Sequence, residues 1–108
     1  MRELIDETIY EKLKNVAQAG RLTNYTDVGV LVGLEPYNVI LWGMLDDINQ
    51  YEHSENRPML SAVVIVEREN KPGSGFFVCA RELGRFHGDE DSFWSSELNK
   101  VWAYWGSH

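Results

Sequence analysis

The feature that most constrains the fold is a pair of glycines, Gly29 and Gly33, inside the apolar stretch DVGVLVGLEPYNVILWGML of residues 27–45. The first allows two helices to approach closely, and the second makes the turn between them four residues later. Thr26 would cap the first helix, and Pro36 suits the first turn of the second. This spacing predicts a helix-turn-helix, although two adjacent helices joined by a glycine turn would show the same pattern.

Helical patterns flank this unit on both sides. Residues 3–20 place apolar side chains at helical spacing and stop at Gly20, and residues 92–105 follow an acidic segment suited to a helix start. Residues 76–86 also favour a helix, whereas the β-branched run of residues 59–69 predicts a buried strand.

The expected fold is therefore a mostly helical α+β domain with a small β-sheet, of helix-turn-helix or winged-helix type. It spans residues 1–105, while residues 106–108, Gly-Ser-His, resemble a vector-derived tail. The single cysteine, Cys79, permits no internal disulfide and suits a reducing compartment. Because the amino terminus is charged and no long apolar run is present, we expect a cytoplasmic protein with no membrane segment.

The net charge of the chain helps to decide whether DNA is its partner. The formal net charge of the chain is −7. DNA affinity depends largely on lysine and arginine displacing condensed counterions, so this balance disfavours DNA without excluding a small basic face.

The segments GRLTNYTDVGVLVGL and RPMLSAVVI resemble the winged-helix DNA-binding half of the alkylguanine-DNA alkyltransferases and alkyltransferase-like proteins, over residues 20–66. The resemblance implies a winged-helix-like arrangement, with Tyr25 as a phosphate neighbour and Asn38 near the place of the family's nucleotide-displacing arginine. The nucleophile segment of the family falls on residues without cysteine or histidine, so alkyl transfer is not implied. The whole chain also resembles small uncharacterised bacterial proteins, some from mobile gene cassettes, which imply no reaction.

The second helix of the unit carries apolar residues where a DNA reader carries arginine, lysine or amides. Because such a stripe needs an apolar partner, we predict a non-catalytic interaction module that binds itself or another protein. The expected interaction residues are Tyr37, Ile40, Leu41 and Met44.

DNA binding of winged-helix type is the alternative. It would use polar and basic residues of the helix pair and of the short sheet with its turn, although scattered surface charges would give the same composition. The residues concerned are Arg21, Tyr25, Asn38, Arg57, Arg68 and Lys71.

Two further hypotheses complete the set. Glu67, Glu69 and Lys71 have the Glu-x-Lys spacing of Mg²⁺-dependent nucleases, although alternating charges before a turn are common on strands. No other pattern predicts a catalytic residue, a metal site or a cofactor. Four tryptophans could line a pocket for an aromatic ligand or simply pack in the core. They are Trp42, Trp94, Trp102 and Trp105.

Overall fold

The computed structural model describes residues 5–108, most of which lie in five α-helices. The helices are α1 (Glu7–Gln18), α2 (Tyr25–Val30), α3 (Val39–Ser54), α4 (Ser74–Glu82) and α5 (Glu90–Gly106). Two short strands, β1 (Thr23–Asn24) and β2 (Val64–Ile65), pair in parallel. The predicted mostly helical α+β fold with a small sheet is confirmed. None of the helices in this described part of the chain is long and apolar enough to cross a membrane.

Glycine follows three of the helices, and at Gly20 and Gly33 the sequence predicts it. Gly20, Gly33 and Gly84 have φ angles of 66°, 70° and 74°. This left-handed region strains any residue with a β-carbon. After α2, the Gly33 N–H donates to the Val30 carbonyl and the Leu34 N–H to the Gly29 carbonyl. These two hydrogen bonds form a Schellman closure, which turns the chain towards α3.

Both helices of the predicted helix-turn-helix begin at other residues than predicted. Asn24 caps α2 in place of Thr26, because its Oδ1 accepts the Asp27 N–H at 2.7 Å. The next helix starts only after Asn38, whose Oδ1 accepts the Ile40 N–H at 2.8 Å. Asparagine is among the strongest capping residues, so each asparagine decides the start of its helix. The first two residues of the predicted 3–20 helix, Glu3 and Leu4, lie outside the described residues.

The strand predicted over residues 59–69 is wrong for most of its length. Leu60–Val63 form a 3-10 turn, and only Val64–Ile65 belong to a strand. The turn is buried because α1, α3 and α5 all pack against it. A continuous apolar run indicates burial on every side, but it does not decide the conformation of the backbone.

Side chains from the surrounding helices supply hydrogen bonds that neighbouring strands would otherwise supply. The Met59 N–H donates to Glu97 Oε2 at 2.9 Å, and the Ser61 N–H donates to Asn49 Oδ1 at 3.1 Å. The Ala62 carbonyl accepts from an indole of α5. Buried backbone groups need such partners, so these contacts stabilise the 3-10 turn inside the core.

Two buried glutamates have arginine partners. Glu52, which is fully buried, accepts from Arg57 Nε at 3.1 Å, from Arg57 Nη2 at 2.9 Å and from Tyr10 Oη at 2.9 Å. Glu97 accepts from Arg85 Nε at 2.9 Å. Each carboxylate is thus paired and hydrogen-bonded, which offsets the cost of its burial.

Candidate binding cleft

A cleft of about 500 Å³ opens between the β1–α2 junction, the start of α3, the loop after β2 and the first turn of α4. Small-ligand sites typically have volumes of about 300–1,000 Å³. Pro36, Leu45, Ile65 and Phe76 give the cleft apolar walls. We call it the α3–α4 cleft.

One face of α3 forms the longest wall of the α3–α4 cleft. Trp42, Leu45 and Asp46 stand at positions i, i+3 and i+4 of the helix, which brings them onto one side. The Trp42 indole N–H donates to the Pro36 carbonyl at 3.0 Å, and this bond holds the ring in place. The wall therefore runs from a partly exposed aromatic ring to a half-buried carboxylate one turn further along.

Tyr25 connects the cleft to the beginning of α4. Its Oη accepts the Gly73 N–H at 3.0 Å. A β-carbon at position 73 would lie 3.4 Å from the same oxygen, which is an ordinary van der Waals contact. Burial raises the pKa of Tyr25, the hydrogen bond from the Gly73 N–H opposes that rise, and the negative charge of Asp46 adds to it. The hydroxyl is thus a neutral hydrogen-bonding group at physiological pH.

Asp46 is the half-buried charge of the cleft. Burial raises the pKa of Asp46, the hydrogen bond with Cys79 opposes that rise, and the nearby carboxylates of Glu82 and Asp47 add to it. Among residues 5–108, no basic side chain forms an ion pair with Asp46. The carboxylate consequently has lost hydration without gaining a counter-ion.

The four predicted interaction residues separate in the structure. Tyr37 and Ile40 are exposed, at 70% and 59%, and Met44 is half-buried against the core. Leu41 is fully buried, so its prediction as an outward-facing residue is wrong. It lies on the buried face of α3 with Leu45 and Ile48. Its side chain packs against α2 near Gly29.

Several residues proposed for DNA contact already have partners within the fold. Arg57 pairs with a buried glutamate, Asn38 caps α3, and Tyr25 accepts a backbone N–H. Arg21 and Arg68 are exposed, and Arg68 lies at the edge of the α3–α4 cleft. Lys71, which was also proposed for DNA contact, is half-buried. Its carbonyl accepts the Val66 N–H and so closes the turn between these two residues.

The structure places the four tryptophans at separate points, and the buried Trp105 agrees with the core-packing alternative. Trp42 lines the α3–α4 cleft, Trp94 donates to the Ala62 carbonyl at 2.8 Å, and Trp102 donates to the Arg21 carbonyl at 3.0 Å. Trp105 is buried beside Tyr10, with 6.4 Å between the ring centroids. Trp94, Trp102 and Trp105 all lie on α5 but contact different neighbours, whereas Trp42 lies on α3 and is partly exposed.

The residues of the nuclease hypothesis lie around an exposed turn. Glu67 and Glu69 are both exposed, and the Val66 N–H donates to the Lys71 carbonyl at 2.8 Å to close the turn. Within residues 5–108, no group of three or more histidine, cysteine, aspartate or glutamate side chains is arranged to hold a metal ion.

Sequence reasoning missed the cleft and its carboxylate. The sequence patterns did not single out Asp46, although it lies one helical turn after Trp42 on the same side of α3. That spacing was a usable signal. The opposite wall was not predictable, because Ser61 and Phe76 reach the cleft through the 3-10 turn and through the packing of α4.

Comparisons of the chain with protein-family models, with curated proteins and with solved structures find no match.

Proposed function

We propose that the protein is a non-catalytic interaction module, in which α2 and α3 form a helix-turn-helix-like unit that binds a protein partner. The observation that supports this proposal is a concentration of exposed apolar side chains. Of the eight large hydrophobic residues exposed in the described chain, six lie between positions 30 and 42. We call these six the apolar surface: Val30, Leu31, Tyr37, Val39, Ile40 and Trp42.

The apolar surface is separate from the core-forming side of the same helices. Leu41, Leu45 and Ile48 already bury one face of α3, whereas Val39 and Ile40 remain 69% and 59% exposed. Single exposed hydrophobic residues are normal, but a cluster of them typically marks an interface. A partner that covers this cluster would remove its apolar area from water.

Charge favours a different protein over a second copy as the partner. Asp27, Glu35 and Asp47 are exposed on or between the two helices. A symmetric dimer through the apolar surface would bring like-charged groups together, because such an interface uses the same patch twice. A partner with apolar anchors and basic neighbours would complement both features.

Peptides of defined chemistry can test this proposal. The probe is a short amphipathic peptide built only of leucine and lysine, and its counterpart has glutamate in place of lysine. We expect the lysine peptide to bind and to shift the backbone NMR signals of Val30, Val39 and Ile40. The glutamate peptide should bind much more weakly, because its side chains carry the same charge as Asp27, Glu35 and Asp47.

A matched pair of variants locates the interaction. Ile40→Ser should weaken binding of the lysine peptide, whereas Val78→Ser, which changes an exposed apolar residue of α4, should not. Equal effects of the two changes, or peptide shifts confined to other helices, would contradict the proposal. Light scattering on the free protein provides a second check, since a dimer that Ile40→Ser dissociates would identify a second copy as the partner.

The same protein should be titrated into labelled duplex DNA at low salt. Under our proposal, no saturable binding is expected. Affinity that falls steeply with salt, and that is lost with Arg21→Ala, would instead support a winged-helix DNA binder.

A further inference from the structure

The α3–α4 cleft carries a second inference, which goes beyond the apolar surface. We propose that it binds an organic cation, an ammonium or guanidinium group on an apolar or aromatic body, with the charge at Asp46 and the body between Trp42, Tyr37 and Phe76. The cleft has the volume for such a molecule, and its apolar walls leave few places for the charge.

The charges around the cleft favour a cation. Asp46 is half-buried and has no basic partner among residues 5–108, while Asp47 and Glu82 add negative potential behind it. At the solvent-exposed edge, Glu67 and Arg68 have opposite signs and largely offset each other. A cationic ligand would supply the missing counter-ion, and it would do so where water competes less than at the surface.

The aromatic residues of the cleft support the same ligand. Trp42 and Tyr37 lie at the cleft and remain exposed at 42% and 70%. The faces of such rings attract cations, and their apolar area accepts the body of the ligand. Because the indole of Trp42 is held by the Pro36 carbonyl, part of this wall is ordered before a ligand arrives.

Three probes with the same aromatic body separate charge from shape. They are phenethylamine, which is a cation at neutral pH, 2-phenylethanol, which is neutral, and 3-phenylpropionate, which is an anion. We expect the amine to bind about tenfold more tightly than the alcohol, because hydrogen bonds to charged groups contribute more than neutral ones. The anion should bind most weakly.

Two adjacent acids of α3 provide the variant and its control. Asp46→Asn keeps the shape of the side chain and removes its charge, so it should reduce the affinity for phenethylamine to that for the alcohol. Asp47→Asn removes the same charge from the neighbouring exposed residue and should preserve most of the preference. If the unmodified protein shows no preference for the amine, or if both variants lose it equally, the inference is wrong.

The cation has two conceivable sources, a free molecule or a lysine of the protein partner. If Asp46→Asn weakens both phenethylamine and the leucine–lysine peptide, a partner side chain occupies the cleft. If the variant weakens only phenethylamine, the ligand is a free amine. Both results support a cation site, and because Ile40→Ser tests the apolar surface separately, either proposal can fail without the other.

The affinity for phenethylamine should also depend on pH in a defined direction. Only ionised Asp46 attracts the cation, and burial raises the pKa of Asp46 above the ordinary value of 3.8. Affinity should therefore fall as the pH is lowered towards this raised pKa, while the amine stays charged. The other groups near Asp46 are Cys79 and Glu82 on α4, Asp47 on α3 and Tyr25 on α2, and Glu67 and Arg68 line the same cleft. Asp46→Asn should abolish this pH dependence, and a dependence that persists in the variant would contradict the assignment.

Discussion

Arg57 provides a sharp test of whether a basic residue of this protein serves the fold or a ligand. Its guanidinium makes two hydrogen bonds with Glu52, at 3.1 and 2.9 Å, and the arginine side chain is 16% exposed while that of the glutamate is fully buried. The change Arg57→Met keeps an apolar stem of similar length beside Tyr51 and Trp105. It leaves Glu52 as a buried charge without its cation.

The expected loss of stability follows from that burial. Removal of one partner from a buried ion pair costs about 3–5 kcal/mol in unfolding free energy, because the remaining charge stays desolvated. For a domain of this size, such a loss lowers the melting temperature by about 12–20 °C. Urea denaturation followed by circular dichroism measures the free energy, and a thermal melt gives the temperature.

Two further variants make the result interpretable. Arg68→Met changes an exposed arginine that forms no ion pair among the described residues, so its effect should stay within about 0.5 kcal/mol. The double variant Glu52→Gln/Arg57→Met should recover much of the loss, since glutamine carries no charge and can still accept from Tyr10. A loss below about 1 kcal/mol for Arg57→Met would refute the reasoning, because exposed pairs contribute no more than that. The reasoning would also be refuted if Glu52→Gln/Arg57→Met were no more stable than Arg57→Met alone.

Further predictions concern two glycines and the cysteine. Gly29→Ala should destabilise the fold by about 1–3 kcal/mol in a urea titration, because the new β-carbon would collide with the Leu34 carbonyl oxygen. Gly43→Ala should instead stabilise it by about 0.5–1 kcal/mol, since nothing lies within 4 Å of the added carbon in the middle of α3; the opposite order would contradict this account. Burial raises the pKa of the Cys79 thiol to about 12, so a thiol reagent at neutral pH should label native protein far more slowly than protein in denaturant. Equal rates would show that Cys79 is accessible.

Local signals in the sequence were sufficient for most of the helices. Apolar spacing located α1 and α5, and the glycines at 20 and 33 correctly indicated where the chain leaves a helix. These features depend on residues close in sequence, which is why a single sequence reveals them.

Long-range contacts account for what was missed. The 3-10 turn depends on Glu97 and Asn49, which are distant in sequence from the backbone groups that they bind. Leu41 is a different kind of error, because its spacing of four residues from Leu45 would have placed it on the buried stripe of α3. The α3–α4 cleft shows both kinds of error. Its α3 wall could have been predicted from the spacing of residues along the helix, whereas its opposite wall forms only when distant segments pack together.

The 3-10 turn has a consequence for the dynamics of the protein. The amide protons of Met59 and Ser61 are bound by side chains of α5 and α3, so neither is freed by unwinding its own segment. Both can exchange with solvent only when these helices separate from the centre of the molecule. Their exchange rates in D₂O should therefore report the free energy of global unfolding, whereas the Ile40 amide, bound only to the local asparagine cap of α3, should exchange through fraying.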